Sequence, residues 1–135
     1  CTEGFPNTFT FSPPAEAAWM AVHALGGDYD GYLRWSYNSW TRDPLRDSRF
    51  RSWAAGDTYC IYPGPRSSIR FERLIEGLQI CEKIVQLRKE YKRTGQKAKL
   101  QKLNKMVKKF TPQAVPASKR ALAAPMVEAI EQLLN

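Results

Sequence analysis

The second half of the chain has helical apolar spacing almost throughout, and this restricts the fold more than any other feature. Ser67 or Ser68 can cap a long helix, because a Ser hydroxyl accepts a hydrogen bond from the first helical turn. Thr94-Gly95 breaks this helix, and Phe110-Thr111-Pro112 ends the next one. Pro116-Ala117-Ser118 then opens a last amphipathic segment. The pattern predicts three C-terminal helices.

The first half of the chain indicates a mixed α/β structure. A helix is predicted to start at Ser12-Pro13-Pro14 and to stop at Gly26-Gly27. Gly31 to Tyr37 alternates along the chain as a strand does, and Gly56 to Tyr62 is a second candidate strand. The residues from Asn38 to Ala55 show no periodicity and predict a long ordered loop. Helix followed by strand after a short turn is typical of an α/β barrel unit.

A cluster of Trp35, Tyr37, Asn38 and Trp40 forms a candidate binding site at the end of the first predicted strand. Trp and Tyr offer flat apolar faces with a polar group, and Asn offers a donor and an acceptor. A sugar ring has apolar C–H faces and hydroxyl edges, so this mixture suits a carbohydrate subsite. Aromatic packing inside a core strand is an alternative that fits the residues equally well.

Two polar side chains, Asn7 and Arg34, have a candidate role in substrate binding and in structure, respectively. Asn7, in a Pro-containing loop, is a candidate substrate contact, and the alternative is a turn in which its side chain bonds the backbone. Arg34 should lie on the opposite strand face from Trp35, where burial would require an ion pair with a residue such as Asp57 or Glu76.

The residues themselves indicate no catalytic, metal or cofactor site. Cys1, Cys60 and Cys81 are widely spaced, and the chain has a single His. No pair therefore has metal-ligand spacing. No Gly-rich phosphate loop and no Ser-His-Asp pattern occurs in the sequence.

The net charge of +8 is concentrated in one helical stretch. Between Arg88 and Lys109 there are ten basic residues and one acid, whereas the remainder has eleven basic and twelve acidic residues. Lysines without arginine forks or stacking aromatics are typical of a solvated helix face, so no nucleic-acid partner is predicted. No apolar run approaches the roughly 18 residues that a transmembrane helix needs.

Four motifs in order carry a family resemblance: Gly31–Trp40, Asp43–Phe50, Gly56–Gly64 and Ser68–Gly77. Together they resemble the C-terminal part of the catalytic domain of bacterial glycoside hydrolase family 123, and the likeness runs from about Cys1 to about Tyr91. The resemblance implies a (β/α)8-type barrel that acts on terminal N-acetylgalactosamine with retention of configuration. In that mechanism the acetamido group of the substrate is the nucleophile.

The resemblance also implies that this chain is one portion of an enzyme. The catalytic Asp-Glu pair of the family lies on an earlier strand, and no adjacent Asp-Glu occurs in these 135 residues. A complete barrel needs about 250 residues. We therefore predict an α/β fold: the C-terminal portion of a (β/α)8-type barrel, with two or three strands followed by three C-terminal helices. Residues 1–93 would belong to the barrel, and residues 94–135 would form a helical extension packed on it.

The predicted function is a sugar-binding contribution to a glycoside hydrolase, without catalytic acids and without activity of this chain alone. A stand-alone carbohydrate- or protein-binding module is the alternative. The expected partners are a carbohydrate, the missing N-terminal part of the same protein, and a second copy that pairs along an exposed strand edge. The resemblance favours a periplasmic or cell-surface location in a bacterium, and the residues themselves leave the compartment open.

Overall fold

The computed structural model describes residues 6–64, 66–111 and 123–135, and the regular structure in these ranges is helical. The helices are α1 (Ala15–Gly26), α2 (Ile69–Arg93), α3 (Lys97–Lys108) and α4 (Ala123–Leu134). Between α1 and α2, residues 27–64 and 66–68 are irregular. The three predicted C-terminal helices are therefore confirmed as α2, α3 and α4.

The predicted strands, and with them the α/β (β/α)8-type barrel portion, are wrong. Within the described ranges, Gly31–Tyr37 and Gly56–Tyr62 form no strand. An isolated antiparallel bridge joins Asn38, the residue directly after the first segment, to Tyr59 of the second. Alternating side chains report only that a backbone is extended, whereas a strand also needs a ladder of hydrogen bonds with a neighbour. Among the described residues, only two backbone hydrogen bonds join these stretches, from Cys60 N–H to the Tyr37 carbonyl and from Ser39 N–H to the Thr58 carbonyl.

The helix ends follow local chemistry at most of the predicted positions. The Ser68 hydroxyl accepts a hydrogen bond from the Phe71 N–H at 3.2 Å and caps α2. α2 ends before Gly95, whose φ of 69° favours glycine. At the predicted start of α1, residues 12–14, Pro14 occupies the cap position and no side chain caps the helix. The predicted opening at residues 116–118 lies outside the described residues.

One apolar core joins all four helices. Trp19 of α1 packs on Phe110 just after α3, with ring centroids 4.5 Å apart, and its indole N–H donates to the Phe110 carbonyl at 3.2 Å. His23 contacts the same carbonyl through Nδ1 at 2.9 Å. The core also contains Ala18, Val22, Ile80, Ile84, Leu103, Val107, Val127 and Ile130. The proposed division between residues 1–93 and 94–135 stays a prediction.

The structure bears on two further features, a membrane-spanning helix and a strand edge for self-association. None of the helices in the described ranges has both the length and the apolar character needed to cross a membrane. The predicted strand edge for self-association does not form in the described segments 27–64 and 66–68, because they contain only isolated bridges. Self-association itself stays a prediction.

The closest helix crossing gives a stability prediction at Gly77. A methyl group on Gly77 would lie 2.8 Å from the Ala18 Cα, well inside the roughly 3.5 Å at which carbon atoms pack. Gly77→Ala should therefore separate α1 from α2 and lower the free energy of unfolding by about 1–3 kcal/mol. Urea unfolding followed by circular dichroism measures this loss.

Gly31→Ala is the matched control, since nothing lies within 4 Å of an added methyl group there. Equal stability of the Gly77→Ala and Gly31→Ala proteins would contradict the close crossing.

Candidate carbohydrate-binding site

The backbone of the aromatic segment is held by hydrogen bonds to the segment that precedes α2. Cys60 N–H donates to the Tyr37 carbonyl, and Ser39 N–H donates to the Thr58 carbonyl, each at 3.0 Å. Side chains add two bonds of 2.7 Å: the Ser36 hydroxyl donates to the Thr58 carbonyl, and the Thr58 hydroxyl donates to the Ser39 carbonyl. These bonds fix the segment although it is not a strand.

The predicted aromatic side chains point outward. Trp35 is 57% exposed, Tyr37 43% and Trp40 38%, whereas the intervening Ser36 is buried. The alternation expected from the sequence is therefore present in the burial of the side chains. Because three large rings remain accessible to solvent, they are available to a ligand.

Two further rings extend this surface. Trp53 is 40% exposed and lies beside Trp35, with ring centroids 4.9 Å apart and planes tilted by 40°. Phe71 in the first turn of α2 meets the Tyr37 ring edge-on at 5.7 Å. We call Trp35, Tyr37, Asn38, Trp40 and Trp53 the aromatic surface.

Asn38 and Trp40 are fixed in different ways. The Asn38 backbone forms the bridge to Tyr59, and its side chain is exposed. The Trp40 indole N–H donates to the Ile61 carbonyl at 2.8 Å, which holds the ring in one orientation. Asn38 therefore offers its amide to solvent, while Trp40 combines an accessible ring with a structural bond.

Asn7 lies in the irregular segment before α1. Its backbone N–H donates to the Glu16 carboxylate at 2.9 Å, and Glu16 is fully buried in the first turn of that helix. The neighbouring Thr8 hydroxyl accepts a hydrogen bond from Arg34 at 2.6 Å, so this loop is tied to the aromatic segment. A substrate contact by the Asn7 side chain stays a prediction.

Arg34 contacts Asp57 differently from the predicted ion pair. Its Nη2 donates to the Asp57 backbone carbonyl at 2.6 Å. Glu76, the other predicted partner, pairs instead with Arg73 at 2.7 Å. A carbonyl oxygen carries enough partial negative charge to accept a hydrogen bond from a guanidinium. The Arg34 side chain therefore binds the backbone carbonyls of Gly56 and Asp57.

Arg70 is a buried residue that the sequence reading did not single out as structural. Only 5% of it is exposed, and its Nη1 donates to the carbonyls of Thr8 at 2.7 Å and Gly56 at 2.8 Å. Its guanidinium also lies 5.6 Å from the centre of the Tyr59 ring. Gly56 has a φ of 78°, and a side chain there would clash with Thr10 and Arg70.

Two ionisable groups of the irregular segment, Asp47 and Cys60, are poorly suited to acid–base chemistry. Two hydrogen bonds from the Arg49 guanidinium, each 2.8 Å long, and one from its N–H lower the pKa of Asp47 to about 2. Asp47 is therefore ionised at neutral pH and cannot act as a general acid there. Burial raises the pKa of the Cys60 thiol, which keeps it protonated and weakly nucleophilic. The described residues contain no group of three metal-ligating side chains.

Comparison with known proteins identifies the family. The sequence profile of the glycoside hydrolase 123 catalytic domain matches residues 1–87. The chain belongs to glycoside hydrolase family 123. A solved family 123 glycoside hydrolase from Clostridium perfringens, described in terms of glycolipid glycan hydrolysis, is similar over 100% of this chain with a TM-score of 0.83 and 26% identity. The match covers 26% of that protein, and comparison with curated proteins gave no match.

Trp53 is the accessible ring that the sequence reading missed in this family 123 chain. It lies in the loop from Asn38 to Ala55, which has no periodicity that could predict the direction of a side chain. The Phe50–Trp53 bridge and the Trp35 contact define its position only in three dimensions. The one feature of the sequence that could have indicated a role for Trp53 is its residue type, a Trp in an Arg- and Asp-rich loop.

Removal of the Arg70 guanidinium should destabilise the loops beneath the aromatic surface. Arg70→Met removes the donor to the Thr8 carbonyl and leaves the Gly56 carbonyl with only the longer bond of 3.4 Å from Arg34. Hydrogen bonds from charged groups are worth about 1.5–3 kcal/mol. We expect the free energy of unfolding to fall by about 3 kcal/mol in chemical denaturation. Arg42→Met is the control, because Arg42 is exposed and lies in the irregular segment between α1 and α2. It should change the free energy of unfolding by less than about 0.5 kcal/mol. Equal effects of the two substitutions would rule out this role of Arg70.

Proposed function

We propose that this chain provides a sugar-binding surface of a family 123 glycoside hydrolase. The observation that carries the proposal is the outward row of Trp35, Tyr37 and Trp40 on a backbone fixed by hydrogen bonds. Asn38 and Asn7 are the polar members of the proposed site. Side chains that are accessible and also held in place can bind a ligand without a large loss of conformational entropy.

The proposed division of labour follows from the surroundings of each side chain. Trp35 is the most exposed ring of the row and would stack on the apolar face of a sugar, beside Trp53. Tyr37 and Asn38 would bind the acetamido group, since a hydroxyl and an amide together offer donors and acceptors. Trp40 would form an edge of the subsite, with its N–H already engaged by Ile61.

We infer a terminal N-acetylgalactosamine of a glycan as the substrate of the complete protein. The family resemblance supports hydrolysis with retention, in which the acetamido oxygen attacks the anomeric carbon. The Clostridium perfringens relative described by glycolipid glycan hydrolysis supports a glycolipid glycan as the substrate class. Tyr37 and Asn38 would orient the acetamido group for attack, and positioning of this kind accounts for much of catalysis in intramolecular reactions.

The acid–base groups of the proposed reaction would come from elsewhere in the complete protein. This chain contains no adjacent Asp-Glu, and the low pKa of Asp47 makes it unsuitable as a proton donor. The 135-residue chain should therefore show no hydrolysis of aryl N-acetylgalactosaminides above the uncatalysed rate. The test is release of the aryl group by chain purified from a host that lacks such an enzyme. Turnover that survives further purification would contradict the assignment and place catalytic groups within this chain.

Two conservative substitutions test the sugar contacts in the complete enzyme. Tyr37→Phe keeps the ring beside Phe71, and Asn38→Ala leaves the backbone bridge to Tyr59 available. Each removes a polar contact to the acetamido group, so we expect kcat/KM for an aryl N-acetylgalactosaminide to fall about ten-fold. The free energy of unfolding should change by less than about 0.5 kcal/mol.

Tyr29→Phe is the matched control, because Tyr29 is also exposed but lies directly after α1. It should leave kcat/KM unchanged. Full activity of both the Tyr37→Phe and Asn38→Ala enzymes would show that these side chains do not bind the substrate.

A further inference from the structure

An open groove lies between α3 and α4. Its volume is about 530 Å³. Met106 and Leu133 contribute its apolar floor, and both pack against the core beneath. Lys102 and Lys105 of α3 and Lys109, directly after α3, line it as well. The groove therefore combines a recessed apolar floor with a cationic wall.

The groove continues towards α2. A second cavity of about 200 Å³ shares Lys102 and Leu133 with the first and adds Leu87 and Tyr91. Lys99 also lines this part, with its ammonium group 5.7 Å from the centre of the Tyr91 ring. We call the two cavities together the lysine groove.

No ion pair within the described ranges involves a lysine of the lysine groove. The three ion pairs found there join Arg46 to Asp43, Arg49 to Asp47 and Arg73 to Glu76, and none involves α3. The stretch from residue 88 to residue 109 has ten basic residues and one acid. A bound partner with carboxylates would complement this charge.

We propose that the lysine groove binds an acidic amphipathic helix. The apolar stripe of such a helix would cover Met106 and Leu133, and its flanking carboxylates would pair with Lys102, Lys105 and Lys109. This is the helix-in-groove mode of recognition, in which apolar anchors one turn apart enter a hydrophobic groove. Segment 112–122 of this chain is a poor occupant by charge, because it contains Lys119 and Arg120 and no acid.

The recessed floor favours a helix over a flat or rod-like polyanion. An anionic membrane or duplex DNA reaches the tips of lysines, and any exposed lysine of α3 would serve it equally. Lys97 and Lys108 are exposed on α3 but do not line the groove. A helix partner therefore distinguishes groove lysines from the others, whereas a polyanion does not.

The probe is a fluorescent peptide of about 15 residues, long enough to form a helix, with Leu at helical spacing and Glu elsewhere. Anisotropy should show saturable binding to the 135-residue chain. Lys105→Glu with Lys109→Glu should raise the Kd about ten-fold, because two groove cations become anions. Lys97→Glu with Lys108→Glu changes the net charge equally and should raise the Kd less than about three-fold. Circular dichroism checks that both double variants are folded.

Leu133→Gln separates a helix from a polyanion. It should weaken binding of the acidic peptide and leave any weak binding of duplex DNA or phosphatidylserine vesicles unchanged. The proposal is overturned if the acidic peptide does not bind, if both double variants weaken it equally, or if Leu133→Gln has no effect. The lysine groove shares no residue with the aromatic surface. The outcome of this experiment therefore neither supports nor contradicts the sugar-binding proposal.

Discussion

Arg70 connects the helical core to the loops beneath the aromatic surface, and the candidate site depends on that connection. The residue belongs to the first turn of α2, yet its buried guanidinium binds carbonyls 62 and 14 positions away in the chain. A buried cation needs compensation, and here two backbone dipoles provide it. Tyr59 lies under the same guanidinium and bridges Asn38. The Arg70 side chain thus sets the position of the loops that contain Thr8 and Gly56 relative to α2.

The helical half of the structure was predictable because its determinants are local. Caps, breaks and apolar spacing act within one or two turns, and Ser68 and Thr94-Gly95 mark the ends of α2 as predicted. The first half depends on contacts between distant segments, such as Cys60 with Tyr37. Alternation from Tyr32 to Tyr37 reported side-chain direction correctly, but it contains no information about whether a neighbouring segment completes a ladder.

The candidate site was predictable by residue type and only partly by position. Trp35, Tyr37, Asn38 and Trp40 are adjacent in sequence, so any extended backbone keeps them near one another. Trp53 joins them through a loop that has no period, and Arg70 contacts them only through the loops it holds. These two contributions are tertiary, and the identity of the side chains alone could not have located them.

α2 separates two surfaces with different chemistry. Phe71 near its start meets Tyr37, and Tyr91 near its end lines the lysine groove. At a rise of 1.5 Å per residue these positions are about 30 Å apart, several times the Debye length of about 8 Å at physiological ionic strength. The lysine charge is therefore screened from the aromatic surface, and a neutral sugar would not need it. Carbohydrate binding at the aromatic surface therefore does not depend on the excess of lysine on α3, and the proposed acidic helix would bind the lysine groove independently of the sugar.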